Sequence, residues 1–315
     1  MQQQRICFSM HLIALCIGLF GICGNITAFI GFQRQPKKSS TSFLFQTLAI
    51  TDSFVLIFFC PFGIWQGSGY PYIPDSVVYF SDYLLSIADT FNGFGKMAIV
   101  ASNGTTVILT ITRFIAVCFP LHASRQCSMT RVRYYLIAII VFSISFHLQH
   151  FIKLSLNHQR QYFHVWTPIV HFVAPLLIIT TLTVILIVKL NYMSKQRTRM
   201  TRKVRQINNT TRVLIIVNIV FTICSLPWPL YLVITINEDT PITMFVFNIA
   251  IPFFFIVNSS VNFLIYTIFS KQYRAAFKQN IHCSCVRSSI GSRNMRQTRI
   301  RTCVRETPIY SSSFE

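Results

Sequence analysis

Of the 315 residues only 11% are Asp, Glu, Lys or Arg, while 52% are hydrophobic and the mean hydropathy is +0.52. A chain with so few charges cannot clothe a globular surface, which excludes a soluble enzyme. Thirty Phe against eleven Gly exclude a disordered or collagen-like chain as well. What is left is an all-α membrane protein whose 28 basic and 8 acidic residues, net +20, belong in its loops and tail.

Crossing a bilayer as helix takes about 20 predominantly apolar residues, since every backbone polar group has to be satisfied internally. Seven segments meet this: 8–32, 42–66, 83–119, 134–152, 165–188, 213–237 and 240–269. Five hold no charged side chain. The second holds Asp52, and the third holds Asp89, Lys96 and Arg113. The first has an apolar run too long for a signal peptide and no small-residue cleavage site after it, so it is expected as a retained helix. Residues 33–41, 113–133, 189–212 and 271–315 carry 24 of the 28 basic residues. That side is expected to be cytoplasmic, with the N-terminus outside at the plasma membrane. Basic runs such as 195–205 then serve topology and lipid headgroups, and nucleic acid is not a partner.

After the seventh segment Phe269, Tyr273 and Phe277 recur every four residues, with Lys271, Arg274 and Lys278 on the other face. This pattern predicts a short amphipathic eighth helix at the interface. Cys283 and Cys285 just beyond it are placed for palmitoylation, solvent-facing thiols being the plain alternative. Residues 1–282 are read as one seven-helix domain and 283–315, rich in Arg, Ser and Thr, as a disordered tail. The ten Cys offer no visible disulfide framework on the oxidising side, and a Cys7–Cys60 bond has nothing in its favour.

A polar residue at membrane depth is costly, so each is a functional hypothesis by default. In the third segment Asp89, Asn92, Lys96, Asn103, Thr110 and Arg113 are spaced by 3, 4, 7, 7 and 3, which places them on one helix face looking into the bundle. Asn103 and Thr110 suit a packing seam of small polar groups. Asp89, Asn92 and Lys96, nearer the outer end, are candidates for ligand binding. Pro175 and Pro227 remove backbone hydrogen bonds and bend their helices, giving hinges. Asp52, a lone carboxylate, must be neutralised by a proton, a cation or donors.

Six stretches carry a family likeness. They are Gly24-Asn25, Leu48-Ala49-Ile50-Thr51-Asp52, Thr112-Arg113-Phe114 running on to Pro120-Leu121, Pro175, Phe221 with Cys224-Ser225-Leu226-Pro227, and Asn258-Ser259-Ser260-Val261-Asn262-Phe263-Leu264-Ile265-Tyr266. In this order and spacing the chain resembles the rhodopsin-like G-protein-coupled receptors. The stretch from Arg113 to Arg131 is most like invertebrate neuropeptide receptors of the FMRFamide type. The resemblance implies a seven-helix bundle that passes the binding of an extracellular ligand to a heterotrimeric G protein, with arrestin and a receptor kinase as further partners. It assigns coupling and activation to Thr112, Arg113, Pro227, Asn262 and Tyr266. It also implies a hydrated sodium ion, the sole cofactor considered, among Asp52, Ser102, Asn258, Ser259 and Asn262, with Asn25 nearby; a protonated Asp52 in a hydrogen-bond network is the other reading.

The departures from that pattern are equally specific. The acid expected before Arg113 is Thr112, the seventh-helix proline is Phe263, and Ser225 stands where the family has a tryptophan. Ala88 replaces the cysteine of the family disulfide, and residues 153–164 offer no Cys to pair with. Gly95 and Ile256 replace the amine-binding acid and the retinal-linking lysine, which argues against an amine receptor and an opsin. No catalytic constellation or phosphate-binding loop is present, so the chain is not read as an enzyme. His147, His150, His158, His164 and His171 lack metal-ligand spacing and are expected as polar caps at the membrane interface. The acidic outer face favours a basic peptide, with an arginine and an amidated end, as ligand. A chemosensory receptor for small molecules is the alternative; a transporter using Asp52 and Lys96 would call for inverted repeats or paired broken helices, and neither is visible.

Overall fold

The structure is a computed structural model that describes residues 2–35, 39–67, 78–148, 169–195, 202–234, 250–271 and 273–275. These residues form helices and no strand. In chain order they are α1 (Gln2–Gln33), α2 (Ser40–Gly67), α3 (Val78–Cys118), α4 (Pro120–Gln126), α5 (Met129–His147), a π-helical turn (Ile169–Val173) leading into α6 (Ala174–Lys195), α7 (Arg202–Ser225), α8 (Pro227–Ile234) and α9 (Ile251–Phe269). Seven stretches among them are long and apolar enough to cross a membrane: Leu12–Gln33, Ser40–Phe59, Thr90–Cys118, Met129–His147, Ile169–Met193, Ile207–Leu230 and Ile251–Phe269.

The bundle is apolar outside and polar within. Leu19, Phe54, Ile137, Val184, Ile223 and Ile268 are exposed, whereas Asp52, Asn103, Asn218 and Asn262 are buried. In water that distribution would be unstable; in lipid it is the expected one, because hydrocarbon solvates leucine and leaves polar groups to find partners inside. Several helices run past their apolar segments. α7 begins at Arg202 and α6 continues to Lys195. A helix leaving the bilayer satisfies its own backbone and has no further need of apolar side chains.

Prolines punctuate the frame. α7 ends at Ser225 and α8 starts at Pro227, joined across the break by the Leu226 amide donating to the Thr222 carbonyl at 3.2 Å. This is the break expected at Pro227, which has no amide proton to donate to the preceding turn. Pro175 is the second residue of α6, just beyond the π-helical turn. Pro120 opens α4 at its first turn, where a missing amide proton costs nothing.

The largest core cluster lies toward the basic end, where Phe32, Leu44, Phe45, Leu48, Leu109 and Tyr266 pack together with Val132, Leu214 and Tyr273. Glycines let helices approach closely. A Cβ on Gly24 would run into the Phe263 ring, and one on Gly95 would meet the Phe59 ring. Residues beyond α9 are described only at Ser270, Lys271 and Tyr273–Ala275, and the last four are helical. Of the expected eighth-helix face, Tyr273 is buried against Phe32 and Tyr266 while Phe269 is exposed. The Arg274 guanidinium donates to the carbonyls of Thr267 and Ile268, covering two acceptors that the end of α9 leaves unpaired. Phe277, Lys278, Cys283, Cys285 and the tail 283–315 lie outside the described residues.

Candidate functional site

Four polar sites run along the axis of the bundle. The central one is built on Asp52, fully buried on α2. The Ser102 hydroxyl donates to Asp52 Oδ1 at 2.5 Å, and Asn262 Nδ2 donates to Oδ2 at 2.7 Å. Ser259, buried on α9, lies beside the same carboxylate. Three helices thus converge on one carboxylate, which lies at membrane depth with short polar side chains on several sides. Asn25 sits one step out, its Nδ2 donating to the Ser259 carbonyl at 3.0 Å. Asn258 is half-buried, and no hydrogen bond among the described residues brings it to Asp52. Of the expected sodium set, Asp52, Ser102, Ser259 and Asn262 come together and Asn258 does not. The Asn25 Oδ1 is a buried acceptor without a hydrogen-bond partner. Carboxylate, hydroxyl and amide oxygens are hard donors, so these residues fit an alkali cation by type.

The second site ties α3 to α6 and α7. Asn218 Nδ2 donates to Thr183 Oγ1 at 2.8 Å and lies 3.1 Å from Thr110 Oγ1; Thr110 itself donates to the Thr106 carbonyl at 2.8 Å. All three side chains are buried. Thr110 belongs to the predicted polar face of α3; Asn218 and Thr183, polar residues within the sixth and fifth spans, meet it from the opposite helices.

The third site lies in the other half and corrects the expectation for two histidines. His147 and His171 do not cap the membrane interface. Both are 1% exposed, with Nε2 atoms 2.8 Å apart. The His147 Nδ1 faces the Ser143 carbonyl at 2.9 Å, and the Ser143 hydroxyl donates to the Met97 carbonyl at 2.7 Å. Asn103 Nδ2 donates to the His171 carbonyl at 2.6 Å. The π-helical turn, with its extra residue, frees backbone of this kind for side-chain partners and turns His171 inward. Beside it Phe172 stacks on Phe255 at 4.9 Å and packs on Trp228 at 5.1 Å. Trp228 is three residues after Ser225, so an aromatic ring is supplied one helical turn later than the family pattern has it.

The fourth site is at the basic end. Arg113 lines a cavity of about 250 Å³ together with Thr41, Phe45, Val213, Tyr266 and Ser270. The Thr112 hydroxyl turns back to the Leu109 carbonyl at 2.9 Å and leaves Arg113 alone. Cys127, at the C-terminal end of α4, lies close enough to the guanidinium to interact with it, and its Sγ–H reaches the Thr112 carbonyl at 3.5 Å. Burial pushes the Cys127 thiol up, and the Arg113 charge offsets this only in part, so the thiol is not the missing anion. The buried Nε of Arg113 and the hydroxyl of Tyr266 have no hydrogen-bond partner.

Asn92 and Lys96, of the expected ligand-binding set, are half-buried on α3. The Asp89 side chain lies outside what the structure describes. Gly95 brings Phe59 against α3 beside Lys96. No group of three or more His, Cys, Asp or Glu that could hold a metal ion occurs among the described residues.

A buried acid shared by three helices, an arginine at the basic end whose Nε has no hydrogen-bond partner among the described residues, and a proline break in the sixth span make a combination that can be compared with known proteins. Residues 145–284 match the family model described as serpentine type 7TM GPCR chemoreceptor Srw. The FMRFamide receptor of Drosophila melanogaster is 29% identical over 293 residues, covering 83% of this chain and 51% of that protein. The resemblance is to the rhodopsin-like G-protein-coupled receptors. An FMRFamide peptide receptor of Caenorhabditis elegans is 25% identical over 307 residues, 87% of this chain and 68% of its own length. The thyrotropin-releasing hormone receptor of Bos taurus is 24% identical over 322 residues, 86% of this chain and 77% of that receptor. The chain spans about half the length of the Drosophila receptor that it matches. With seven spans and these relatives, it is a multi-pass membrane protein.

Proposed function

We propose that the chain is a G-protein-coupled receptor that passes the binding of an extracellular peptide to a heterotrimeric G protein. The observation that carries this reading is the series of buried polar ties along the axis, from Asn103–His171 through Asp52–Asn262 and Thr110–Asn218 to the open cavity at Arg113. Each tie joins two helices through a buried polar side chain that must find another partner if those helices move, as a two-state switch requires. The Pro227 break lets the basic half of the sixth span swing against the third.

The orientation follows from charge, with the Arg113 end cytoplasmic and the N-terminus outside. The outer half of α3 supplies the ligand contacts, with Asp89 for a basic group and Asn92 and Lys96 for the remainder. Arrestin and a receptor kinase would meet the basic end, and lipid the exposed apolar faces. Similarity to receptors named for FMRFamide and thyrotropin-releasing hormone supports a neuropeptide ligand. A small-molecule chemosensory role is the second reading, supported by the Srw match over 145–284.

The test is ligand-dependent nucleotide exchange on co-expressed G proteins, screened with amidated peptides and with odorants. A peptide agonist should raise exchange, and Asp89→Asn and Lys96→Met should each weaken its potency while surface expression persists. Unchanged potency in both variants would move the site elsewhere, and response to odorants alone would favour the chemosensory reading. An epitope at residue 1 should label on intact cells and one after Glu315 only after permeabilisation.

A further inference from the structure

The cavity at the basic end presents donors and no acid. Arginine stays charged throughout the physiological range, so Arg113 brings one fixed positive charge to it. Its Nε is buried without a partner, and so is the Tyr266 hydroxyl. Thr41 and Ser270 add hydroxyls to the same wall; the Ser270 oxygen already accepts from the Tyr273 amide at 3.2 Å, which leaves its proton to donate. Residues 33–41, 113–133 and 189–212, the loops around this end, contain no Asp or Glu. Cys127, the neighbour that could have become an anion, is held as a thiol by burial. Phe32, Phe45, Ile207 and Val213 form an apolar part of the wall, and Ser39, Ser42 and Thr210 add further polar groups to it.

Two features of this arrangement narrow the occupant. One guanidinium, the single cation among the described residues that line the cavity, matches a single negative charge better than the double charge of a phosphate monoester. Aromatic and aliphatic walls reward an apolar body, which inorganic ions lack. We infer that this cavity binds an organic monocarboxylate, whose oxygens accept from Arg113 and from the hydroxyls of Tyr266 and Thr41 while its hydrocarbon part lies against Phe32, Phe45 and Val213. The carboxylate supplies the negative charge that Thr112, standing in the position of an acid, does not. Such a ligand reaches the cavity either as a cytosolic solute or as a fatty acid from the adjacent leaflet.

The experiment uses the full chain in lipid nanodiscs without any G protein, so its outcome is separate from that of the coupling assay. Thermal unfolding is followed with hydrocinnamate, with the neutral hydrocinnamamide, with palmitate added to the bilayer, and with chloride alone. The carboxylate should raise the midpoint in a saturable way, as a ligand of the folded state does, while the amide and chloride should not. Arg113→Met should abolish the shift, and Tyr266→Phe should weaken affinity by about tenfold, as expected for a lost hydrogen bond to a charged group. If Arg113→Met does not fold, Thr41→Val combined with Tyr266→Phe serves in its place, with contact read by saturation transfer to the hydrocinnamate ring. A shift with hydrocinnamate or with palmitate supports the inference and names the source. An equal shift with the amide, a full shift in Arg113→Met, or no shift with either carboxylate would overturn it.

Discussion

The Nε2 atoms of His147 and His171 face each other at 2.8 Å in the interior of the bundle, one ring on α5 and the other on the π-helical turn before α6. A carbonyl only accepts, so the Ser143 oxygen 2.9 Å from His147 Nδ1 assigns a proton to that nitrogen. His147 Nε2 is then the acceptor and His171 Nε2 the donor. The bond joins the fourth and fifth spans in the same half of the bundle where the family disulfide is missing. Replacing either ring, His147→Leu or His171→Leu, should destabilise by about 1–3 kcal/mol, the cost of leaving a buried polar partner unmatched. The double variant should lose less than the sum of the singles. Thermal unfolding in detergent measures all three, and additive losses would mean that the rings do not act as a pair.

Basal activity should depend on a neutral tie rather than an ionic one. With Thr112 bonded to its own helix, the restraint between the third and sixth spans is Asn218 against Thr110, shared with Thr183. Asn218→Leu removes a net hydrogen-bond contribution of about 1 kcal/mol and should raise ligand-free nucleotide exchange several-fold, since about 1.4 kcal/mol moves a two-state equilibrium tenfold. Thr112→Asp, which puts a carboxylate beside Arg113, should lower basal exchange. Exchange equal to that of receptor-free membranes in the parent, with no change in either variant, would count against signalling through this switch.

The contact between the first and seventh spans should tolerate nothing larger than hydrogen at residue 24. A Cβ there collides with the Phe263 ring, the residue that stands in place of the seventh-helix proline. Gly24→Ala should therefore lower the unfolding midpoint by the equivalent of about 1–3 kcal/mol, the usual cost of overpacking. Adding Phe263→Leu should restore part of the loss. If the double variant is no better than Gly24→Ala alone, the clash is not with that ring.

Sodium is expected to act through Asp52. Its carboxylate, already bonded by Ser102 and Asn262, needs a positive charge to complete its neutralisation if it is ionised. We expect the unfolding midpoint of the parent to rise when choline is replaced by sodium, by mass action on the folded state, and Asp52→Asn to remove the dependence. Equal midpoints in the two salts for the parent would favour the protonated network instead.

Seven apolar spans, their order and the inward side of α3 at Asn103 and Thr110 were legible in the sequence because lipid imposes a length and an apolarity that few other environments do. Asp52, Arg113 and Asn262 stood out for the same reason, as polar groups whose cost in hydrocarbon demands a partner. Which partner each one takes was decided only by the tertiary structure. Helical periodicity places Asn103 and Thr110 on one face, yet says nothing about Asn218 or the His171 carbonyl meeting them from other helices. His147 and His171 are 24 positions apart, and only the π-helical turn at Ile169–Val173 brings the second ring inward to the first. The same limit applies to Gly24 and Phe263, and to Trp228 against Phe172: a pattern repeating along one helix records which side is buried, while the register between helices is set by side-chain packing at residues far apart in the chain.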